Sequence, residues 1–201
     1  MSRIEPHITH TVTSEPLLDW KSSADEAKRN LILDAALRVF GTLGFDQPNM
    51  DDVAAEARYT RRSLYRFFPS KDELGIALAL RSCRRMTAAF GALESASLFD
   101  IAWAYWQFSQ SHPEEFRVVI DTRQLMLSGR ALPLRDEWIK TDDFGAAFAA
   151  RDELDRESLA AAVGYVEFRF RYRAVWQDSG LAGNTETVKA VLRKILIEEK
   201  T

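Results

Sequence analysis

A chain of 201 residues, 46% of them apolar, can bury a sizeable core as one ordinary domain or as a small domain docked on a larger one. Its lone cysteine, Cys83, excludes an internal disulfide and a thiolate metal cluster, and no window holds the roughly 18 uninterrupted apolar residues of a membrane helix. The net charge of −3 is unevenly spread, because residues 58–71 carry Arg58, Arg61, Arg62, Arg66 and Lys71 with no acid among them.

Residues 1–22 hold few apolar side chains and two prolines, Pro6 and Pro16, and are expected to form a flexible arm. Glu5 and Pro6 stand where a secretory signal would be apolar, so a cytoplasmic chain is expected. Ser23-Ala-Asp-Glu26 has the spacing of a capping box and predicts a helix start. Ile32, Ala36, Val39 and Leu43, with Phe40 beside them, then make one apolar stripe on a helix ending at Gly44. Asn49 caps a second, short helix with Asp51 and Asp52 in its first turn and Val53, Ala54 and Ala57 facing inward. After a break at Arg58-Tyr59, Thr60 caps a third helix that carries Leu64 and Phe68 inward and stops at Pro69. Ser70-Lys-Asp-Glu73 is a second capping box, opening a fourth helix that runs into the low 90s.

Helical patterns continue beyond it with no strand signal. Residues 98–111 are apolar almost all round, as in a helix buried on several sides, and Pro113 restarts a helix that reaches about Leu127. An interrupted helix is expected over 130–155, with closing helices at about 156–178 and 185–199. On the first of these, Leu159, Val163, Val166 and Phe170 form one stripe, and Tyr165, Phe168, Tyr172 and Trp176 another on nearly the opposite face. One stripe serves the subunit's own core. The other is expected to bury itself against a second copy of the chain, with Arg169 and Arg173 at the rim.

Residues 49–68 thus read as two short helices joined by a tight turn. Small alanines on the first allow a close crossing, and a basic outer face on the second suits the DNA major groove, about 12 Å wide. The run from Asn49 to Leu74, above all Leu64-Tyr65-x-x-Phe68-x-Ser70-Lys71-x-x-Leu74, resembles the DNA-binding region of the TetR family of repressors. That resemblance covers about 50 residues, from the first helix into the fourth. It implies an all-α homodimer with an N-terminal three-helix helix-turn-helix domain (23–74) and a C-terminal ligand-binding and dimerisation domain (75–201) whose effector changes affinity for double-stranded operator DNA. Carried over position by position, Arg61, Arg62, Ser63 and Arg66 would face base edges or nearby phosphates. Thr60 would cap the recognition helix and contact phosphate, Tyr65 would give its hydroxyl to a phosphate, and Lys71 would hold the backbone with the amides opening the fourth helix.

Three residues depart from the family's pattern. Arg58 stands where glycine is usual, so the turn is expected to differ slightly, since a left-handed backbone strains any residue with a Cβ. Tyr59 replaces a small apolar residue and Phe67 a His or Tyr, which removes a phosphate donor. These changes mean either weaker binding or an operator that Arg58 and Tyr59 themselves touch.

The resemblance also implies an effector pocket, for which Trp103, Trp106, Phe116, Trp138, Phe148, Tyr165 and Phe168 are the candidates, placed between residues 98–127 and 134–178. Each could equally be plain core, and the sequence does not choose. A helical enzyme is the first rival reading. His7, His10 and His112 form no Glu-x-x-His motif and Asp142-Asp143 has no companion carboxylate motif, so no metal, cofactor or acid–base pair is expected. A protein–protein adaptor that kept the fold and lost operator binding is the second, with only Arg58 and Phe67 in its favour.

Overall fold

The computed structural model describes residues 15–90, 96–127, 152–174 and 184–197, which form eight helices and no strand. The first, α1 (Glu15–Leu43), begins eight residues before the expected capping box, so Ser23 lies inside a helix instead of opening it. Pro16 in the first turn is itself compatible with a helix start, and Ser23 and Asp25 cost a helix interior only about 0.5 kcal/mol each relative to alanine. Ile32, Ala36 and Phe40 form the expected buried stripe, but Leu43 is 52% exposed. The helix ends at Gly44, φ +84°, whose amide returns to the Phe40 carbonyl at 2.8 Å.

Helix α2 (Met50–Ala57) is capped as expected, in a full capping box: Asn49 Oδ1 accepts from the Asp51 and Asp52 amides, while the Asn49 amide donates to Asp52 Oδ2 at 2.7 Å. Helix α3 (Arg61–Phe67) starts at Thr60, whose hydroxyl accepts from the Ser63 amide at 3.2 Å. Helix α4 (Lys71–Phe90) follows, with Ser70 Oγ accepting from the Glu73 amide. A Cβ on Gly75 would lie 2.4 Å from Phe45 Cε2, so glycine is what lets the loop after α1 lie against α4.

Helices α5 (Leu98–Ser111) and α6 (Pro113–Leu127) match the sequence expectation, and Ser97 with Asp100 adds a capping box at the start of α5. Helix α7 (Glu153–Arg171) begins three residues earlier than expected, capped by Asp152, and reaches a turn at Tyr172. Helix α8 (Thr185–Ile197) closes the described chain. Expectations for residues 130–151 and for Trp176 lie outside the described residues.

Two buried clusters result. The first joins Ile32, Ala36 and Phe40 of α1 to Val53 and Ala54 of α2, Leu64 of α3, Leu74 and Leu78 of α4, and Val118 and Leu125 of α6. The second joins Met86 of α4, Tyr105 of α5, Phe116 and Ile120 of α6, Leu159, Val166 and Phe170 of α7, and Val188 and Leu192 of α8. Each fully buried side chain of this size stabilises the fold by about 1.5–3 kcal/mol relative to exposure. Helices α4 and α6 contribute to both clusters, so the helix-turn-helix is fused to the rest through two shared helices. Arg117 of α6 reinforces the junction, donating to the Thr42 carbonyl at 2.8 Å.

Candidate nucleic-acid interface

The two-turn helix α3 packs through Leu64, fully buried in the first cluster, and leaves Arg61, Arg62, Tyr65 and Arg66 exposed on its outer side. The geometry follows from the turn. Arg58 takes the left-handed conformation, φ 56°, ψ 37°, and its amide and that of Tyr59 return to the Ala55 and Ala54 carbonyls at 3.1 and 2.9 Å. That is the hydrogen-bond pattern of a Schellman motif. The turn therefore keeps the geometry glycine would adopt, contrary to the expected departure, and the strain is borne by an arginine. A left-handed residue with a Cβ costs about 1–2 kcal/mol, less than one well-buried leucine returns.

Arg61, Arg66 and Lys71 are already engaged within the chain. Arg61 donates to Asp51 Oδ2 at 2.9 Å and lies over the Tyr65 ring. Arg66 lies over the Phe67 ring, 3.8 Å from Asp25 Oδ1. Lys71 donates to the Asp46 carbonyl at 3.0 Å, its ammonium 4.7 Å from the centre of the Phe45 ring. Ser63 is partly buried, with its hydroxyl 2.9 Å from that of Thr60. Arg62 makes no ion pair or hydrogen bond among the described residues, and Arg58 and Tyr59 flank it at the turn. Asn49, Asp51, Arg61, Tyr65, Ser70 and Lys71 line one open groove of about 470 Å³ between the starts of α2 and α4. Two helix N-termini and two cations thus face a single depression, together with the acidic residues Asp46 and Asp51. Phe67 does not reach this groove and packs against the first cluster.

Sequence reasoning missed the side chains that hold α3 from behind. Asp25 and Arg29 come from α1 and Asp51 from α2; each looks like an ordinary solvated charge in sequence, because its partner on α3 is 10 or more residues away, and Asp25 also pairs locally with Lys28 at 3.5 Å.

In the second cluster, Phe116 is fully buried, its ring edge-on to Tyr105 at 4.9 Å and to Phe170 at 4.8 Å. Trp106 is 9% exposed, Tyr165 is half-buried, and Trp103 is partly buried, stacked on Phe99 and topped by the Lys189 ammonium at 4.8 Å. Phe168 instead lies on the outside of α7, half exposed and paired with Tyr172 at 4.7 Å. Trp138 and Phe148 lie outside the described residues. A polar network crosses this cluster: Tyr105 donates to Glu167 Oε1 at 2.8 Å, and Arg123 donates to both Glu167 and the Tyr105 hydroxyl. Burial pushes the Tyr105 hydroxyl pKa well above its ordinary value; the Arg123 charge opposes that shift, and Glu167 adds to it. Burial also raises the Tyr165 pKa, opposed by Arg169.

Fold and surface together define an all-helical protein with an N-terminal helix-turn-helix and a basic outer face. Residues 32–78 match the family described as bacterial regulatory proteins, tetR family. A TetR-family member from Streptomyces coelicolor A3 shares the fold with a TM-score of 0.60 at 25% identity, over 84% of this chain and 98% of that one. The multidrug binding protein EbrR, crystallised with imidazole, does so with a TM-score of 0.57 at 24% identity, over 84% of this chain and 94% of its own. Salmonella enterica GusR does so with a TM-score of 0.56 at 18% identity, over 85% and 95%. No curated protein matches the chain. The match to the tetR family thus spans the helix-turn-helix region and the helices that flank it, and the solved structures share the fold over most of the chain. No helix among the described residues is long and apolar enough to cross a membrane.

Proposed function

We propose that the chain is a ligand-responsive cytoplasmic repressor that binds double-stranded operator DNA as a homodimer and is released by a small apolar or aromatic effector. The observation that carries this reading is the outer face of α3, where Arg62 stands exposed and unengaged among the described residues beside Arg61, Tyr65 and Arg66. In this reading Arg61, Arg62, Ser63 and Arg66 meet base edges and adjacent phosphates, while Thr60 and Tyr65 give their hydroxyls to the backbone. Lys71 leaves the Asp46 carbonyl for a phosphate at the start of α4.

Residues 23–74 then act as the DNA-binding domain and 75–201 as the ligand-binding and dimerisation domain, coupled through α4 and α6, which both buried clusters share. The exposed pair Phe168 and Tyr172 supports the dimer. In this reading Phe168 serves the subunit interface instead of the effector site. Trp103, Trp106, Phe116, Tyr165, Trp138 and Phe148 keep the role of effector contacts.

Electrophoretic retardation of a duplex carrying the gene's own upstream region tests the proposal. Retardation at moderate salt is expected, with log affinity falling by about 0.9 per phosphate contact for each unit of log salt. Lys71→Ala should weaken all sequences equally and flatten that slope, and Arg62→Ala should relax base preference. Failure to retard this duplex, or any selected from a random pool, would leave a helical adaptor as the function.

A further inference from the structure

The recognition helix is too short to define its own direction. Seven residues make fewer than two hydrogen-bonded turns, and a helix of that length is held by what it packs on. Its N-terminal end is fixed by Thr60 and its middle by Leu64. The C-terminal end is held differently. Arg29, from α1, donates Nη1 to the carbonyl of Phe67, the last residue of α3, at 3.2 Å. The same guanidinium lies 4.3 Å from the centre of the Phe68 ring, which is 1% exposed and anchored in the first cluster. One turn earlier on α1, Asp25 faces Arg66 at 3.8 Å.

Behind this end of α3 the packing is open. A cleft of about 280 Å³ separates α1, α3 and α4, lined by Glu26, Leu33, Phe67, Leu80 and Arg84 among others. Arg29 is one of the residues lining that gap. A cation is the appropriate group there, because the last carbonyls of a helix carry its negative end and lack intrahelical partners. The planar guanidinium can donate to one residue in its own plane while its face rests on the ring of the next.

We infer that Arg29 is a positioning residue for operator recognition. It contacts no DNA, and by tying the end of α3 to α1 it sets the angle at which Arg62 and Arg66 enter the groove. The inference rests on the proposed operator binding. Two consequences separate it from a phosphate contact. A phosphate-binding arginine weakens all sequences alike and contributes to the salt slope, whereas a positioning arginine affects only the sequence-specific complex.

The test uses the full-length chain, a duplex selected from a random pool by the wild-type protein, and a scrambled duplex of the same composition, titrated by fluorescence anisotropy at several salt concentrations. Arg29→Met keeps the apolar stem over Phe68 and removes the donor. It should weaken the selected duplex roughly tenfold, the equivalent of one hydrogen bond to a charged group, and leave the scrambled duplex and the salt slope unchanged. Arg29→Lys can still donate to the Phe67 carbonyl and should recover much of the loss. Circular dichroism melting of each variant separates loss of fold from loss of angle. Equal weakening of both duplexes with a shallower slope would make Arg29 a phosphate contact and overturn the inference, as would an unchanged ratio. A wild-type chain that selects no sequence at all would defeat the operator reading instead.

Discussion

Arg61, in the first turn of α3, donates to Asp51, in the first turn of α2, across 2.9 Å, although the two side chains are 64% and 55% exposed. A pair so exposed adds at most about 1 kcal/mol to the fold, so its consequence lies at the surface and not in stability. Asp51 puts a carboxylate on the face proposed to meet phosphates and occupies a cation that DNA would otherwise engage. Asp51→Asn should therefore raise affinity for DNA of any sequence several-fold at low salt, with little change in melting temperature. Anisotropy titrations on a scrambled duplex at two salt concentrations would show it, and an unchanged affinity would mean that the pair has no part in the interface.

Arg58 carries the one positive φ of a non-glycine residue among the described residues. Arg58→Gly should remove a strain of about 1–2 kcal/mol, partly offset by about 0.5–1 kcal/mol of added freedom in the unfolded chain. The net gain of roughly 1 kcal/mol would raise the melting temperature by about 2–4 °C for a chain of this size. Arg58→Val should lower it, because a β-branched residue is a poor occupant of that conformation. Calorimetry on the two variants checks both signs.

The buried hydroxyl of Tyr105 makes stability depend on alkaline pH. Its pKa is raised in the folded state, so the folded chain retains this proton above the unfolded value near 10. The associated stability is fully present below pH 10 and is lost as the pH rises above it, at about 1.4 kcal/mol per unit for this residue. Tyr105→Phe should be less stable at neutral pH, since Glu167 and Arg123 each lose a partner, and should show a shallower decline above pH 10. Urea unfolding at pH 8 to 11 compares the slopes; identical slopes would mean that the hydroxyl ionises freely in the fold.

The two stripes of α7 have separate fates. Leu159, Val166 and Phe170 are buried within the subunit, whereas Phe168 and Tyr172 are each 49% exposed. Val166→Asp should unfold the chain. Phe168→Glu with Tyr172→Glu should leave it folded and, if the proposed dimer uses this face, monomeric with little operator affinity. Sedimentation velocity at micromolar concentration decides, and a wild-type monomer would remove the dimer from the functional reading.

Local chemistry made much of this protein legible in its sequence. Helices α2, α3 and α6 lie where Asn49, Thr60 and Pro113 mark their starts, because such signals act within one turn of the helix end. The basic outer face of α3 follows from Leu64 alone, since burying one side of so short a helix exposes the other. By itself, then, the sequence determined the all-helical class, the helix-turn-helix and its charged surface. Tertiary structure decided what depends on residues far apart in the chain. Arg58 adopts a glycine conformation because closing α3 onto α1 and α2 returns more free energy than the strain costs. Tyr105, Arg123 and Glu167 meet only when α5, α6 and α7 pack together. The inward stripe of α7 is the one that matches Phe116, although periodicity offered two equal faces. Arg29, an exposed charge on α1 by every local measure, reaches the end of α3 38 residues away, a distance that only the packed fold can close.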